Sequence, residues 1–172
     1  LNTYFKDKTL INFDFIKDKF NKTHPINFKE FQDILPLKLT EINRKGKILI
    51  LNFDNKWWLC IHFGLHGFLR TNNMIIENYD NNKKSINGIM TFTNDIKLNY
   101  VDTTGFGSSF KFFNKENDIN KYLNKYAIDI LNKYFTLDIF KENIKKIQNK
   151  NLKRNEIYCI LLKQEKSSGI CS

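Results

Sequence analysis

The sequence predicts an α+β protein in which antiparallel strands come first and helices follow. Three observations carry that prediction. Between Thr9 and Phe113, short apolar stretches recur between turn signals, which is the rhythm of a sandwich or barrel. Beyond Asn114 the apolar residues shift to helical spacing. A content of 41% apolar residues with sixteen phenylalanines is ample for a packed core in 172 residues, and only two prolines and seven glycines leave little room for linkers or repeats.

Taken in order, residues 1–6 read as the tail end of a helix whose earlier turns would precede Leu1. Thr9–Phe15 alternates, setting Leu10, Asn12 and Asp14 against Ile11, Phe13 and Phe15, the pattern of a half-buried strand. A short helix should then start at Asn27 as cap, with Glu30 completing a capping box and Ile26 stapling onto Phe31. Leu35-Pro36 ends it, because the residue before proline is pushed out of helical geometry.

Residues 37–42 lead into the most legible part of the chain, residues 44–70. A basic turn of Arg44, Lys45, Gly46 and Lys47 opens a hairpin made of Ile48–Phe53 and Trp57–Phe63, joined by Asp54, Asn55 and Lys56. Gly64 and Gly67 follow it. Residues 74–87 are polar and irregular, and are expected to form an exposed connection. A second hairpin, 88–93 with 96–102, turns at Asn94-Asp95. After a loop with Gly105 and Gly107, residues 109–113 read as one more strand.

Helices are expected over residues 118–131, 137–148 and 156–163. The middle one places Leu137, Phe140, Ile144 and Ile147 on one face. Thr136 is its predicted cap, Asp138 suits its positive start, and Lys145 and Lys146 suit its negative end.

Charge and cysteines narrow the function classes. A formal net charge of +10 favours phosphate-bearing partners, although a lysine- and asparagine-rich composition is an equally weighted reading of the charge alone. No apolar run approaches the roughly 20 residues of a membrane span, and no signal peptide is evident. Cys60, Cys159 and Cys171 are far apart, without metal-site spacing, which fits a reducing intracellular compartment. No metal site is expected.

The order of these elements, together with RKGKILIL, IHFGLHGFLR and VDTTGFGSSFKF, resembles the formamidopyrimidine-DNA glycosylase and endonuclease VIII family, and looks closest to its viral endonuclease VIII-like members. The family pattern R-x-G-K-x-L is similar to Arg44-Lys45-Gly46-Lys47-Ile48-Leu49. The pattern H-L-G-M-x-G-x-L is similar to His62-Phe63-Gly64-Leu65-His66-Gly67-Phe68-Leu69, and D-x-R-x-F-G to Asp102-Thr103-Thr104-Gly105-Phe106-Gly107. The last, L-x-D-Q followed by G-I-G-N, is met in altered form by Leu161-Leu162-Lys163-Gln164 and Gly169-Ile170-Cys171-Ser172.

This resemblance implies an N-terminal β-sandwich over residues 1–113, lacking its first helix, followed over 114–172 by part of a helix–two-turns–helix DNA-binding domain. It implies a monomer that acts on damaged double-stranded DNA, flips the target base out of the stack and excises it through a covalent intermediate. The family's N-terminal proline amine and adjacent glutamate are not among residues 1–172, so these residues by themselves are expected to form no Schiff base with an abasic site. No cofactor is expected; a family zinc finger would lie beyond Ser172.

Site residues carry over position by position. Lys47 matches the lysine that reaches the DNA backbone beside the lesion and assists elimination. Leu65 stands where a methionine is usually inserted into the void left by the flipped base, and Phe106 matches a second wedge beside the opposite base. Thr104 stands in place of a phosphate-clamping arginine, whose forked contact threonine cannot make. Gly169 and Ser172 fall in the phosphate-binding turn, with Ser172 replacing asparagine and Cys171 a glycine. Tyr158 replaces a lysine and Lys163 an aspartate of the helical part. His62 also matches a family position, but a histidine at a strand end is more often hydrogen-bonded in place than catalytic.

Overall fold

The computed structural model describes residues 2–16, 20, 22–64, 66–71, 86–102, 104, 108–126 and 133–148. The expectations for residues 74–85 and 156–163, and for Leu65, Phe106, Gly169 and Ser172, lie outside them. The chain divides into two compact units, one of Leu1–Asn43 with Leu49–Glu116 and one of Arg44–Ile48 with Asn117–Ser172.

The first unit is built on eight strands: β1 (Thr9–Phe15), β2 (Leu37–Lys45), β3 (Ile48–Phe53), β4 (Trp57–Phe63), β5 (Phe68–Thr71), β6 (Ile86–Phe92), β7 (Ile96–Val101) and β8 (Ser108–Phe113). They run in the order β5-β7-β6-β1-β2-β3-β4-β8. The pairs β1–β2, β1–β6, β4–β8, β5–β7 and β6–β7 are antiparallel. Side chains from strands far apart in that order meet, so the sheet folds over itself into two layers. Phe13 and Phe15 of β1 lie 6.0 and 5.0 Å from Phe110 of the outermost strand β8, and Tyr100 of β7 lies 4.9 Å from the same ring.

Two short helices whose bounds lie among the described residues belong to this unit, α1 (Asn2–Phe5) and α2 (Phe28–Asp33). The second feeds the core directly. Phe28 contacts Phe13 and Phe112, and Phe31 contacts Phe53, Trp57 and Phe112, all with ring centroids 5.0–5.5 Å apart. Aromatic pairs of this kind contribute about 0.5–1.5 kcal/mol each beyond the burial of their area. The phenylalanine-rich composition thus has a structural outlet. Cys60 of β4 is buried on the face opposite Leu59 and Ile61, outside that aromatic cluster, and burial pushes its thiol up to about 12, so it behaves as a small apolar side chain.

Four local expectations are corrected. Asn27 does not cap α2 with its side chain; its backbone is left-handed at φ 63°, and its Nδ2 donates instead to the Phe112 carbonyl at 3.1 Å. That conformation turns Ile26 outward, where it is 86% exposed, so no staple onto Phe31 forms. Glu30 makes no box; its carboxylate accepts from Asn114 Nδ2. In β1 the strict alternation fails, because the register shifts between Leu10 and Asn12. This irregularity lets Leu10 share the buried face with Phe13 and Phe15 while Ile11 and Asn12 both face out.

Both predicted hairpin turns form. Asn55 and Lys56 carry φ values of 55° and 57°, and Asn94 and Asp95 carry 63° and 52°, so each reversal rests on left-handed residues. The four-residue strand β5 was not foreseen.

In the second unit, α3 (Glu116–Leu123) precedes α4 (Leu137–Gln148). Thr136 Oγ1 accepts from the Ile139 amide at 3.3 Å and caps α4 as expected. Leu137 does not share a buried face; it is 64% exposed. The apolar contact at this helix start is made by Phe135 with Phe140, rings 6.3 Å apart, a staple spanning the cap that leaves Leu137 to solvent.

Candidate nucleic-acid interface

Two kinds of turn carry the candidate residues. The first is the basic turn between β2 and β3. Gly46 has φ 58°, a left-handed conformation that a side chain would strain, and Arg44 Nη1 donates to its carbonyl at 2.8 Å. The guanidinium therefore pins the turn rather than projecting from it. Lys47 follows directly and is half-buried. Lys45 is half-buried as well, and burial holds its ammonium below the ordinary value of 10.5. Arg44, Lys45 and Lys47 concentrate three cations on a turn of fixed shape, which suits a polyanion better than a single small ligand.

The second kind lies in the first unit, where the chain leaves β4 and where it leaves β7. After Phe63, Gly64 turns at φ 68°, and its amide donates to His62 Nδ1 at 3.1 Å. His62 is thus held by its own turn, which is the structural role that its position at a strand end suggested. The Gly67 amide then closes back on the Phe63 carbonyl at 3.0 Å. A Cβ at this glycine would stand 2.3 Å from that carbonyl oxygen and 3.0 Å from the Tyr100 hydroxyl. Only glycine fits here, and β5 starts at the next residue.

Beneath Gly67, Tyr100 is fully buried and its hydroxyl donates to Asp102 Oδ2 at 2.9 Å. Residues two apart on a strand share a face, which is why Tyr100 can reach Asp102 just beyond the end of β7. The other carboxylate oxygen accepts from the Thr104 amide at 3.0 Å and from its hydroxyl at 3.2 Å. The Asp102 carbonyl accepts from buried Asn87 at 3.2 Å. Asp102 is only 3% exposed, so these partners take the place of water around a buried carboxylate.

The predicted residues therefore sort as follows. Lys47 sits on a pinned turn of the second unit, while Thr104 is exposed, with its hydroxyl turned back onto Asp102. Tyr100, Asn87 and the crowding at Gly67 were not singled out from the sequence. The signal was present in part: a buried tyrosine needs a partner for its hydroxyl, and Asp-x-Thr after a strand is a turn signature. Among the described residues there is no group of three or more His, Cys, Asp or Glu that could hold a metal ion, and no helix is long and apolar enough to cross a membrane.

Residues 1–109 match the family described as the formamidopyrimidine-DNA glycosylase N-terminal domain. The chain belongs to that family. It is 30% identical over 125 residues to a formamidopyrimidine-DNA glycosylase of Rickettsia peacockii, covering 70% of this chain and 43% of that protein. A Rickettsia felis relative of the same name is 31% identical over 123 residues, covering 70% and 42%. The chain thus spans less than half the length of these glycosylases.

Solved structures agree on the fold. A MutM in complex with DNA containing carbocyclic 8-oxo-G superposes with a TM-score of 0.74 at 19% identity, over 99% of this chain and 60% of that one. The Lactococcus lactis Fpg in complex with DNA containing an abasic site gives the same TM-score and identity over 99% and 58%. The antiparallel sandwich is the architecture of a formamidopyrimidine-DNA glycosylase N-terminal domain. Lys47, Leu65, Thr104 and Phe106 all fall inside the matched segment; Gly169 and Ser172 lie beyond it.

Proposed function

We propose that this chain supplies the DNA-gripping part of a DNA-repair glycosylase that takes oxidised bases out of duplex DNA, with abasic-site lyase activity in the complete protein. The observation that supports this most is the family match across residues 1–109, which takes in both the basic turn and the Gly67 and Thr104 turns. In this reading Lys47 is the backbone contact that assists elimination, its ammonium a point charge on a turn that glycine lets approach a phosphate. Leu65 and Phe106 act as wedges that hold an opened step, which costs a few kcal/mol to unstack. Thr104, Gly169 and Ser172 are the further positions that the family resemblance assigns to DNA contact. A duplex DNA substrate places the work inside the cell.

The test is Lys47→Ala, measured by binding to a duplex carrying a tetrahydrofuran abasic-site analogue across a salt series. Affinity at low salt should fall, and the slope of log affinity against log salt should flatten by about one unit, the signature of one lost phosphate contact. Unchanged binding would remove Lys47 from the contact surface. Thr104 in place of an arginine favours a second reading, a relative that binds duplex DNA without excising bases. Release of a damaged base by the full-length protein separates the two.

A further inference from the structure

The basic turn has an obvious outward role, but the most constrained group near the candidate interface points inward. Tyr100 is fully buried, so it cannot itself touch a duplex. Its hydroxyl nevertheless meets both turns at once. It donates to Asp102, whose other oxygen holds the amide and hydroxyl of Thr104, and it lies 3.0 Å from the place a Cβ would take at Gly67. Gly67 is in turn closed onto Phe63, whose ring lies 6.5 Å from that of Tyr100. In sequence, Gly67 comes two residues after Leu65, and Thr104 two before Phe106.

We infer that Tyr100 is a positioning residue that sets the backbone of the β4–β5 turn and of the segment after β7 together, and so tunes discrimination between lesion-bearing and intact duplex. The discrimination part rests on the proposed function; the coupling of the two turns does not. The coupling follows from spacing. With its hydroxyl hydrogen-bonded to a buried carboxylate, the ring has one permitted depth, and the glycine above it leaves no slack. A shift at either turn is then passed to the other through this side chain, alongside the β5–β7 ladder that pairs Phe68 with Val101. Without the hydroxyl, Asp102 loses a donor and Gly67 loses its floor, and the two turns are coupled less tightly.

The test is Tyr100→Phe, which keeps the ring and removes one oxygen, with Leu98→Val on the same buried face of β7 as a control for general loss of core packing. Amide hydrogen exchange reads the coupling without DNA. The Gly67 and Thr104 amides should both exchange about fivefold faster or more in Tyr100→Phe, as expected for loss of one hydrogen bond, while amides in the middle of β4 keep their protection. Acceleration at Thr104 alone would overturn the coupling, as would equal acceleration at both in Leu98→Val.

Binding reads the consequence. The preference for a tetrahydrofuran duplex over an undamaged one should fall about fivefold or more in Tyr100→Phe, with the salt slope unchanged because no phosphate contact is lost. An unchanged preference would overturn the role in discrimination, and a flattened salt slope would show that phosphate contacts had been disturbed instead. If the wild-type chain shows no lesion preference, the proposed function fails, while hydrogen exchange still decides whether Tyr100 couples the turns. If Tyr100→Phe does not fold, Asp102→Asn removes the same link from its other side and is judged by the same two readouts.

Discussion

The basic turn at Arg44–Ile48 and the turns joined by Tyr100 are built on opposite principles. The first is defined by charge: three cations in four residues, with one of them, Arg44, spent on fixing the backbone. The second is defined by fit: an obligatory glycine, a buried ring and a carboxylate shared between a phenol and a threonine. Charge acts at a distance, tolerates small displacements and fades with salt. Fit acts only at contact and fails on displacements of a few tenths of an ångström. Under the proposed function, the difference would make affinity for any duplex and preference for a damaged one separable properties, carried by different residues.

The largest effect that could sharpen this contrast is expected at Gly67. In Gly67→Ala the new methyl must displace a backbone carbonyl, for which there is no flexible neighbour to yield. We expect a loss of about 2–3 kcal/mol in thermal or urea unfolding, together with loss of lesion preference. A variant as stable as wild type would show that this turn has slack, and the contrast would collapse.

Next comes Gly46→Ala, where the cost is backbone strain at positive φ, about 1–2 kcal/mol. Its effect on binding should be equal for damaged and undamaged duplex, because it misplaces cations and not wedges. A selective loss of lesion binding would break the assignment.

The smallest effect is expected at the exposed pair Asp7–Lys38, 2.8 Å apart. Lys38 holds the Asp7 carboxyl below its ordinary 3.8, and Asp7 holds the Lys38 ammonium above its ordinary 10.5. The aspartate's share of any stabilisation is present above 3.8 and fades as pH falls through its lowered value; the lysine's is lost only as pH rises through its raised one. Between about pH 5 and 9 the melting temperature of Asp7→Asn should therefore run parallel to that of wild type, and displaced very little at ordinary salt. A pH-dependent gap inside that window would mean that the pair is coupled to something buried.

How far the sequence reveals this molecule depends on which kind of information a feature uses. The two hairpins were legible because Asp54-Asn55-Lys56 and Asn94-Asp95 are local signals, and both tolerate left-handed backbone. The Thr136 cap was legible for the same reason. The start of α2 carries an equally good local signal in Ile26-Asn27 with Glu30 and Phe31, and there the signal misleads. A long-range partner, the Phe112 carbonyl, takes the Asn27 amide, and no window of neighbouring residues contains that competitor. The staple forms instead at Phe135 and Phe140, around Thr136, whose hydroxyl does take its local partner, the Ile139 amide.

The candidate site divides along the same line. Arg44, Lys45, Gly46 and Lys47 declare themselves by type and adjacency. The relation among Gly67, Tyr100 and Asp102 spans 35 residues and depends on the β5–β7 register, Phe68 against Val101, which the sequence reading lacked because β5 is only four residues long. Leu65 and Phe106 were reached through resemblance to a family and not through their own chemistry.

The misplaced cap at Asn27 has a further consequence, for solubility. β8 ends the strand order on one side, and its sequence, SSFKFF, is rich in aromatic residues. An open strand edge of that composition is a template on which a second chain can add by backbone pairing. Asn27 occupies the Phe112 carbonyl from the same chain, and the outward-facing Lys111 sets a charge beside it. The residue that gave up its helix cap thus guards the edge of the sheet, so its replacement should be felt less in melting temperature than in the concentration at which the protein begins to self-associate.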